Sequence, residues 1–305
     1  MKKIFTFFFF WIFSFFKKYR ILMKKLTTRK VLSIHGEGVL GFLQGLITQD
    51  TQLLSRSGGK TAIASLFLNP KGRVISDALI VKRGSAEGPE RVFLDVPSVH
   101  ADKIANLLTR HKLRLPISIE KAEHLSVFVS NDSDFSFEDP RVPSLPRRCL
   151  SPCEPGVVDT IQDVDFERER LMAGVVEGQD LPPDSIPIFY NFDFFNCISF
   201  NKGCYTGQEL ITRTLRRGIV RRRVVPLKTV DGSSIKQGGK VFFSDGSREI
   251  GTIFACARDV GLAVLQLDSP QGLNEKPAYR TALLSAGTLT IDQEVSVSLV
   301  VPKYS

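Results

Sequence analysis

The chain has 305 residues, 43% of them hydrophobic and 24% charged, with five cysteines and a net charge of +9. This composition excludes a disordered or fibrous chain, and the length suits two or three domains around a substantial core. Lys2, Lys3, Lys17, Lys18 and Arg20 carry five of the nine net charges, so the chain as a whole is no polyanion-coating protein.

Residues 1–22 hold a nearly apolar run from Ile4 to Phe16 between two basic clusters. The run is shorter than the roughly 20 residues that span a bilayer, and no small-residue cleavage site follows it. It reads as an extension dispensable to the fold, with a membrane anchor and a targeting peptide as alternatives. Membrane contact is not expected elsewhere.

From Val31 the pattern is globular. Val31–Ile34 reads as a strand, and Val39, Leu40, Phe42, Leu43, Leu46 and Ile47 have the spacing of an amphipathic helix. Thr61–Leu68 and Arg73–Val81 form a hairpin around the turn Asn69-Pro70-Lys71-Gly72. Asp77 is the notable acid of the return strand. Arg91–Val96, Leu113–Glu120 and Leu125–Ser130 read as further strands, and Pro97–Arg110 as a helix. The order is that of an α+β domain with an antiparallel sheet. Residues 131–155, with five prolines, read as a loop, and Phe166–Ala173 as a charged helix.

The Gly/Pro-rich stretch 174–187 and the aromatics Phe189, Tyr190, Phe192, Phe194, Phe195 and Phe200 then form what reads as the wall of a site. It leads into Lys202-Gly203-Cys204-Tyr205-Thr206-Gly207-Gln208-Glu209. Two glycines bracket a Cys and a Tyr, permitting positive φ or close backbone approach. Thr206 to Glu209 reads as a capping box for a helix ending near Arg217, with Gly218 as its C′ residue. Cys204, close to Lys202 and a helix start, has the setting that lowers a thiol pKa. Between Leu210 and Val230 there are six arginines and one lysine with no acid, which points to an anion site or a solvated basic face. Beyond Gly218, short strands and glycine turns indicate a small β-barrel or sandwich.

The five cysteines are too scattered for a disulfide framework and favour a reducing compartment. Cys149-x3-Cys153 has no second Cys/His pair near it, and the four histidines show no metal-binding spacing. No metal site held by this chain alone is expected. There is no P-loop, dinucleotide fingerprint or Gly-x-Ser-x-Gly elbow.

The motif from Lys202 to Glu209 resembles the signature of the YgfZ family, including its mitochondrial iron–sulfur assembly relatives, within the superfamily of the glycine-cleavage T-protein. Phe42 to Asp50, Asn69 to Asp77, Arg170 to Gly178, Leu181-Pro182-Pro183 and Gly218 to Leu227 carry the resemblance further, so it covers nearly everything from residue 31 to 301. It implies a three-domain T-protein-like α+β fold: a discontinuous first α+β domain (23–57 and 131–217), an interleaved second one (58–130), both ferredoxin-like, and a C-terminal β-barrel (218–305). It implies binding of tetrahydrofolate or a derivative, and assembly or repair of iron–sulfur clusters in client enzymes, including tRNA-modifying ones. Folate and iron–sulfur client or scaffold proteins are the implied partners, with tRNA or another polyanion as a further contact and a monomer as the expected state. The implied location is the bacterial cytoplasm or, in a eukaryote, the mitochondrial matrix.

Cys204, Lys202 and Asp77 are the implied working residues. Asp77, Asn191, Tyr205, Gln208, Glu209, Arg213 and Arg223 are the implied folate contacts, with Arg217, Arg221 and Arg222 added for the anionic tail or a partner. Two departures stand out. Ser76 replaces the first member of the Asp-Asp pair of T-protein relatives, and Phe189 stands where many relatives have an acid. The resemblance leaves enzymatic turnover open, with a one-carbon transferase and an RNA-binding module as alternatives.

Overall fold

The computed structural model describes residues 23–55, 61–83, 90–130, 136–152, 163–246, 248–267 and 272–302; the extension 1–22 and Cys153 lie outside them. Two antiparallel sheets and a closed barrel organise the described chain.

The larger sheet has five strands in the order β3 (Ala62–Leu68), β4 (Val74–Lys82), β5 (Arg91–Pro97), β2 (Arg29–Gly36) and β6 (Ile117–Lys121). Every residue of β3 is buried, as its unbroken run Ala-Ile-Ala-Ser-Leu-Phe-Leu requires of a strand covered on both faces. One face packs Leu32, Ile34, Phe67, Ile80 and Leu94 against Leu43 of α1 (Val39–Gln44) and Ile104 and Leu108 of α2 (Ala101–Lys112). The other face carries Val31, Leu66, Leu79 and Phe93 into the larger core. Arg29, Asp77 and Asp95 share that second face, because side chains alternate along a strand.

The smaller sheet orders β1 (Met23–Lys25), β7 (Leu125–Ser130) and β8 (Arg147–Pro152). These strands divide differently from the sequence ranges. β2, placed in 23–57, lies between β5 and β6 of the second range, while β7 of that range pairs with β1 and β8. Sequence proximity does not decide sheet membership here, because strands pair with whichever neighbour satisfies both edges. β8 also corrects the expectation of a loop over 131–155: its Cys149 and Leu150 are buried in register with Phe128 and Val127.

The C-terminal barrel closes as β10-β11-β12-β9-β14-β13, with β9 (Arg222–Thr229), β10 (Lys240–Phe243), β11 (Glu249–Ala257), β12 (Val260–Gln266), β13 (Leu289–Ile291) and β14 (Val295–Leu299). The expected turn at Asp245-Gly246 joins β10 to β11, with Gly246 at φ 69°. A helix missed in the sequence, α5 (Lys276–Ser285), intervenes before β13 and buries Tyr279 and Leu283. α3 (Asp163–Met172) ties to the barrel through a two-pronged Arg168–Asp259 pair at 2.6 and 2.8 Å. No described helix is long and apolar enough to cross a membrane.

Candidate functional site

Residues 202–207 form an irregular turn leading into α4 (Gln208–Arg217). Cys204 is exposed, whereas Cys149 and Cys197 are buried and Cys256 is partly covered. Burial pushes the Cys197 and Cys256 thiols up, so Cys204 is the accessible thiol among the described cysteines.

Lys202 is bound to backbone carbonyls. Its Nζ donates to the carbonyls of Gln44, Ile47 and Gln49 at 2.6, 2.8 and 2.9 Å, which occupies all three ammonium protons. Those carbonyls end α1 and begin the following turn, so Lys202 staples the Cys turn to the Phe42–Asp50 motif. Burial lowers its pKa to about 8. Tyr205 packs beneath, its ring 5.1 Å from Nζ and its phenol pushed by burial to about 12.

The expected capping box does not form. The N-cap is Gly207 at φ 80° with no side-chain bond, because Thr206 points its amide and hydroxyl at the Gly45 carbonyl instead. Gln208 turns back and accepts from the Tyr205 amide at 3.2 Å. Glu209, Arg213 and Arg216 lie exposed on one face of α4. Gly218 is likewise not left-handed; it is extended at φ −113°, and a Cβ there would lie 2.7 Å from the Thr214 carbonyl.

Gly207 is required twice over. Its φ suits glycine, and a Cβ would lie 2.6 Å from the Asn69 carbonyl and 3.0 Å from the Cα of Gly72. Gly72, at φ 73°, would in turn drive a Cβ to 2.6 Å from Leu210 Cβ. The hairpin turn and the helix start therefore interlock through two glycines. Gly203 has no such role: its φ is not positive and no atom lies within 4 Å of its built Cβ.

Asp77 sits in the molecular interior. Its Oδ2 pairs with Arg29 at 3.0 Å and its Oδ1 accepts from the Gly178 amide at 2.6 Å. Around it Arg29, Arg141 and Arg148 interleave with Asp95, Asp139 and Glu177. Arg29 reaches Asp95 at 2.5 Å, and Arg148 bridges Asp95 at 2.7 Å and Glu177 at 2.5 Å. Burial alone would raise Glu177, but Arg29, Arg148 and Arg141 overcome it and hold the carboxyl well below the usual range. Sequence reasoning singled out Asp77 but missed its partners. The same signal, a charge inside an apolar strand, marks Asp95 and Arg148.

Asn191 and Arg223 are committed too. Asn191 is buried in the left-handed region and donates from Nδ2 to the Val224 carbonyl at 2.8 Å. Arg223 grips Asp193 with two bonds of 2.6 and 3.0 Å, donates to the Leu273 and Ile188 carbonyls, and stacks 3.9 Å over Phe194. It locks the aromatic wall to the barrel. Arg213, Arg216, Arg221 and Arg222 are exposed and form no ion pair with another described residue; the Arg217 side chain lies outside the described set.

Between the wall and the barrel lies a cavity of about 510 Å³, lined by Pro182, Phe189, Tyr190, Arg222, Thr252 and Phe254 among others. Tyr190 meets Phe254 edge-on at 5.2 Å. Its size and aromatic walls fit a planar ligand, and its charged lining is the Arg222 guanidinium and the Glu249 carboxylate, the latter paired with Lys240 at 2.7 Å. Asp77, Asn191 and Arg223 do not line it. Among the described residues no group of three or more His, Cys, Asp or Glu side chains is placed to hold a metal ion.

Residues 221–305 match the family model described as the CAF17 C-terminal beta-barrel domain. The chain is 30% identical to the mitochondrial iron–sulfur cluster assembly factor IBA57 homolog of Pyricularia oryzae, over 68% of this chain and 57% of that protein. The human mitochondrial factor IBA57 is 28% identical, over 81% of this chain and 78% of its own length. The match thus spans little more than half of the fungal relative. A crystal structure of glycine cleavage system aminomethyltransferase T from Bartonella henselae superposes with a TM-score of 0.67 at 15% identity, covering 93% of this chain and 86% of that one. The fold is therefore T-protein-like, as the sequence resemblance implies. The named homologues are IBA57 proteins, and the CAF17 match is to the C-terminal barrel.

Proposed function

With homologues that are IBA57 iron–sulfur cluster assembly factors, we propose that this chain is itself such a factor and that Cys204 is its working thiol. The observation that carries the reading is the one exposed thiol among the described cysteines, held on a turn stapled by Lys202 and interlocked by Gly72 and Gly207. The cluster is cargo here. One thiol supplies one ligand, so the remaining ligands come from a client or scaffold protein. The open space at Gly203 leaves room for that partner's approach. Mitochondria are the proposed location, following the names of the homologues in preference to the cytoplasm.

Tetrahydrofolate is the proposed ligand of the cavity at Phe189, Tyr190 and Arg222. The aromatic side chains would stack on the pterin or its aryl group, and Arg222 would meet a carboxylate. When bound, folate supplies a carrier for one-carbon units. Asp77 shapes the interior behind the strap 178–184, and its full pairing with Arg29 and Gly178 weighs against the aminomethyltransferase alternative. A second reading, contact with tRNA or another polyanion, draws on the unpaired Arg213, Arg216 and Arg221. Clients among tRNA-modifying enzymes follow from the resemblance alone.

The deciding experiment replaces Cys204 with Ala in cells lacking the protein and measures iron–sulfur enzyme activities against the protein's abundance. Loss of those activities at normal abundance is the expected result. Full rescue would remove Cys204 from the role.

A further inference from the structure

A second cleft opens on the other side of the strap. It has a volume of about 440 Å³ and lies between the hairpin turn, the start of α2 and residues 178–184. Arg73, His100 and Lys103 face it from two different elements, and Val74, Ile75, Leu181, Pro182 and Pro183 give it an apolar wall. Arg73 and Lys103 form no ion pair with a described residue. Asp184, the acid of the lining, is exposed and pairs with neither.

The floor is built closely. A Cβ on Gly178 would lie 2.9 Å from Asp77 Oδ1 and 3.0 Å from His100 Nδ1, so only glycine leaves this floor open. Below it, Asp77 pairs with Arg29 at 3.0 Å, which offsets part of its charge beneath the cations above. His100 Nδ1 lies 3.2 Å from Ser76 Oγ, whose hydroxyl donates to the Asp77 carbonyl at 3.0 Å. This contact orients the His100 ring at the cleft. Asn69 spends Oδ1 on the Arg73 amide at 3.0 Å, which fixes the turn that presents the Arg73 side chain.

Two unpaired cations over a concave apolar wall suit one kind of ligand: a small anion with an apolar body. We propose that this cleft is a binding site for a small organic anion, a phosphate ester or carboxylic acid, with Arg73 and Lys103 holding the anionic head and the Pro182–Pro183 wall covering the apolar part. Cys204 does not line it and it shares only Pro182 with the aromatic cavity, so it stands apart from the assembly role.

The test titrates the full chain with phenyl phosphate, benzoate and inorganic phosphate by calorimetry. Saturable binding of phenyl phosphate or benzoate, tighter than inorganic phosphate, is expected. The preferred one of the pair identifies the head group. Arg73→Gln combined with Lys103→Gln weakens that binding at least tenfold, whereas Lys236→Gln, exposed ahead of β10, leaves it unchanged. A second readout needs no variant: the bound ligand protects Lys103 from acetylation in the native protein. Absence of saturable binding overturns the proposal. So does equal binding by the Arg73/Lys103 variant, or acetylation of Lys103 that the ligand does not slow.

Discussion

Three carbonyl oxygens converge on the Lys202 ammonium from a segment some 155 residues earlier in the chain. A charged hydrogen bond contributes about 1.5–3 kcal/mol, so these bonds make Lys202 a clamp on which the Cys turn depends. Lys202→Met is expected to destabilise the protein by about 2–3 kcal/mol in denaturant titrations. The alkylation rate of Cys204 as a function of pH tests the other role. If Lys202 only staples, the midpoint of that profile stays within about 0.3 units of the native one in Lys202→Met, a span well below the usual scatter of thiol pKa values. A large upward move would restore Lys202 as the thiol's activator.

At the scale of elements, the hairpin β3–β4 and the start of α4 meet at Gly72 and Gly207, and the junction separates two glycines of one motif. Gly207→Ala forces both a strained φ and a 2.6 Å contact with backbone, and is expected to cost more than about 2 kcal/mol. Gly203→Ala meets ordinary φ and open space and is expected to stay within about 0.5 kcal/mol. Thermal denaturation of both variants checks the pair; equal losses would dissolve the interlock. Iron–sulfur enzyme activity in the Gly203→Ala strain then asks whether a partner needs the space this glycine leaves.

For the whole molecule, the decisive feature is the charge network between the two sheets. Its arginines and carboxylates come from β2, β4, β5, β8, the 139–141 loop and the Glu177 turn, so it binds together segments far apart in sequence. Removing one partner leaves the others buried and uncompensated, and Glu177→Gln is expected to cost about 3–5 kcal/mol at neutral pH. The sign of the pH effect follows from the depressed pKa of Glu177. An unfolded Glu titrates near about 4.3, so the stabilisation is complete above that pH and is lost as pH falls toward the lower folded value. Native protein should therefore lose more stability than Glu177→Gln on acidification from pH 5 to pH 3. Parallel losses in urea titrations would mean that Glu177 is not held ionised by its arginines.

Much of this protein was legible in its residues. Alternation and turn chemistry located β2 through β7 and the barrel strands, because local periodicity and glycine or proline turns are properties of short segments. The Lys202–Glu209 motif likewise marked the candidate site and its accessible Cys. β8 was hidden by flanking prolines and by two arginines that look solvated until Asp95 and Glu177 are brought beside Arg148. α5 was hidden by Pro277, which a helix tolerates in its first turn.

What only the tertiary structure decided is where each charged side chain of the motifs spends its hydrogen bonds. Lys202, Asp77, Asn191 and Arg223 have the residue types of a ligand site, yet each is occupied by a partner 30 to 158 positions away in the chain. Sequence carries donors and acceptors but not their distances, and a buried polar group takes the nearest complement that folding supplies.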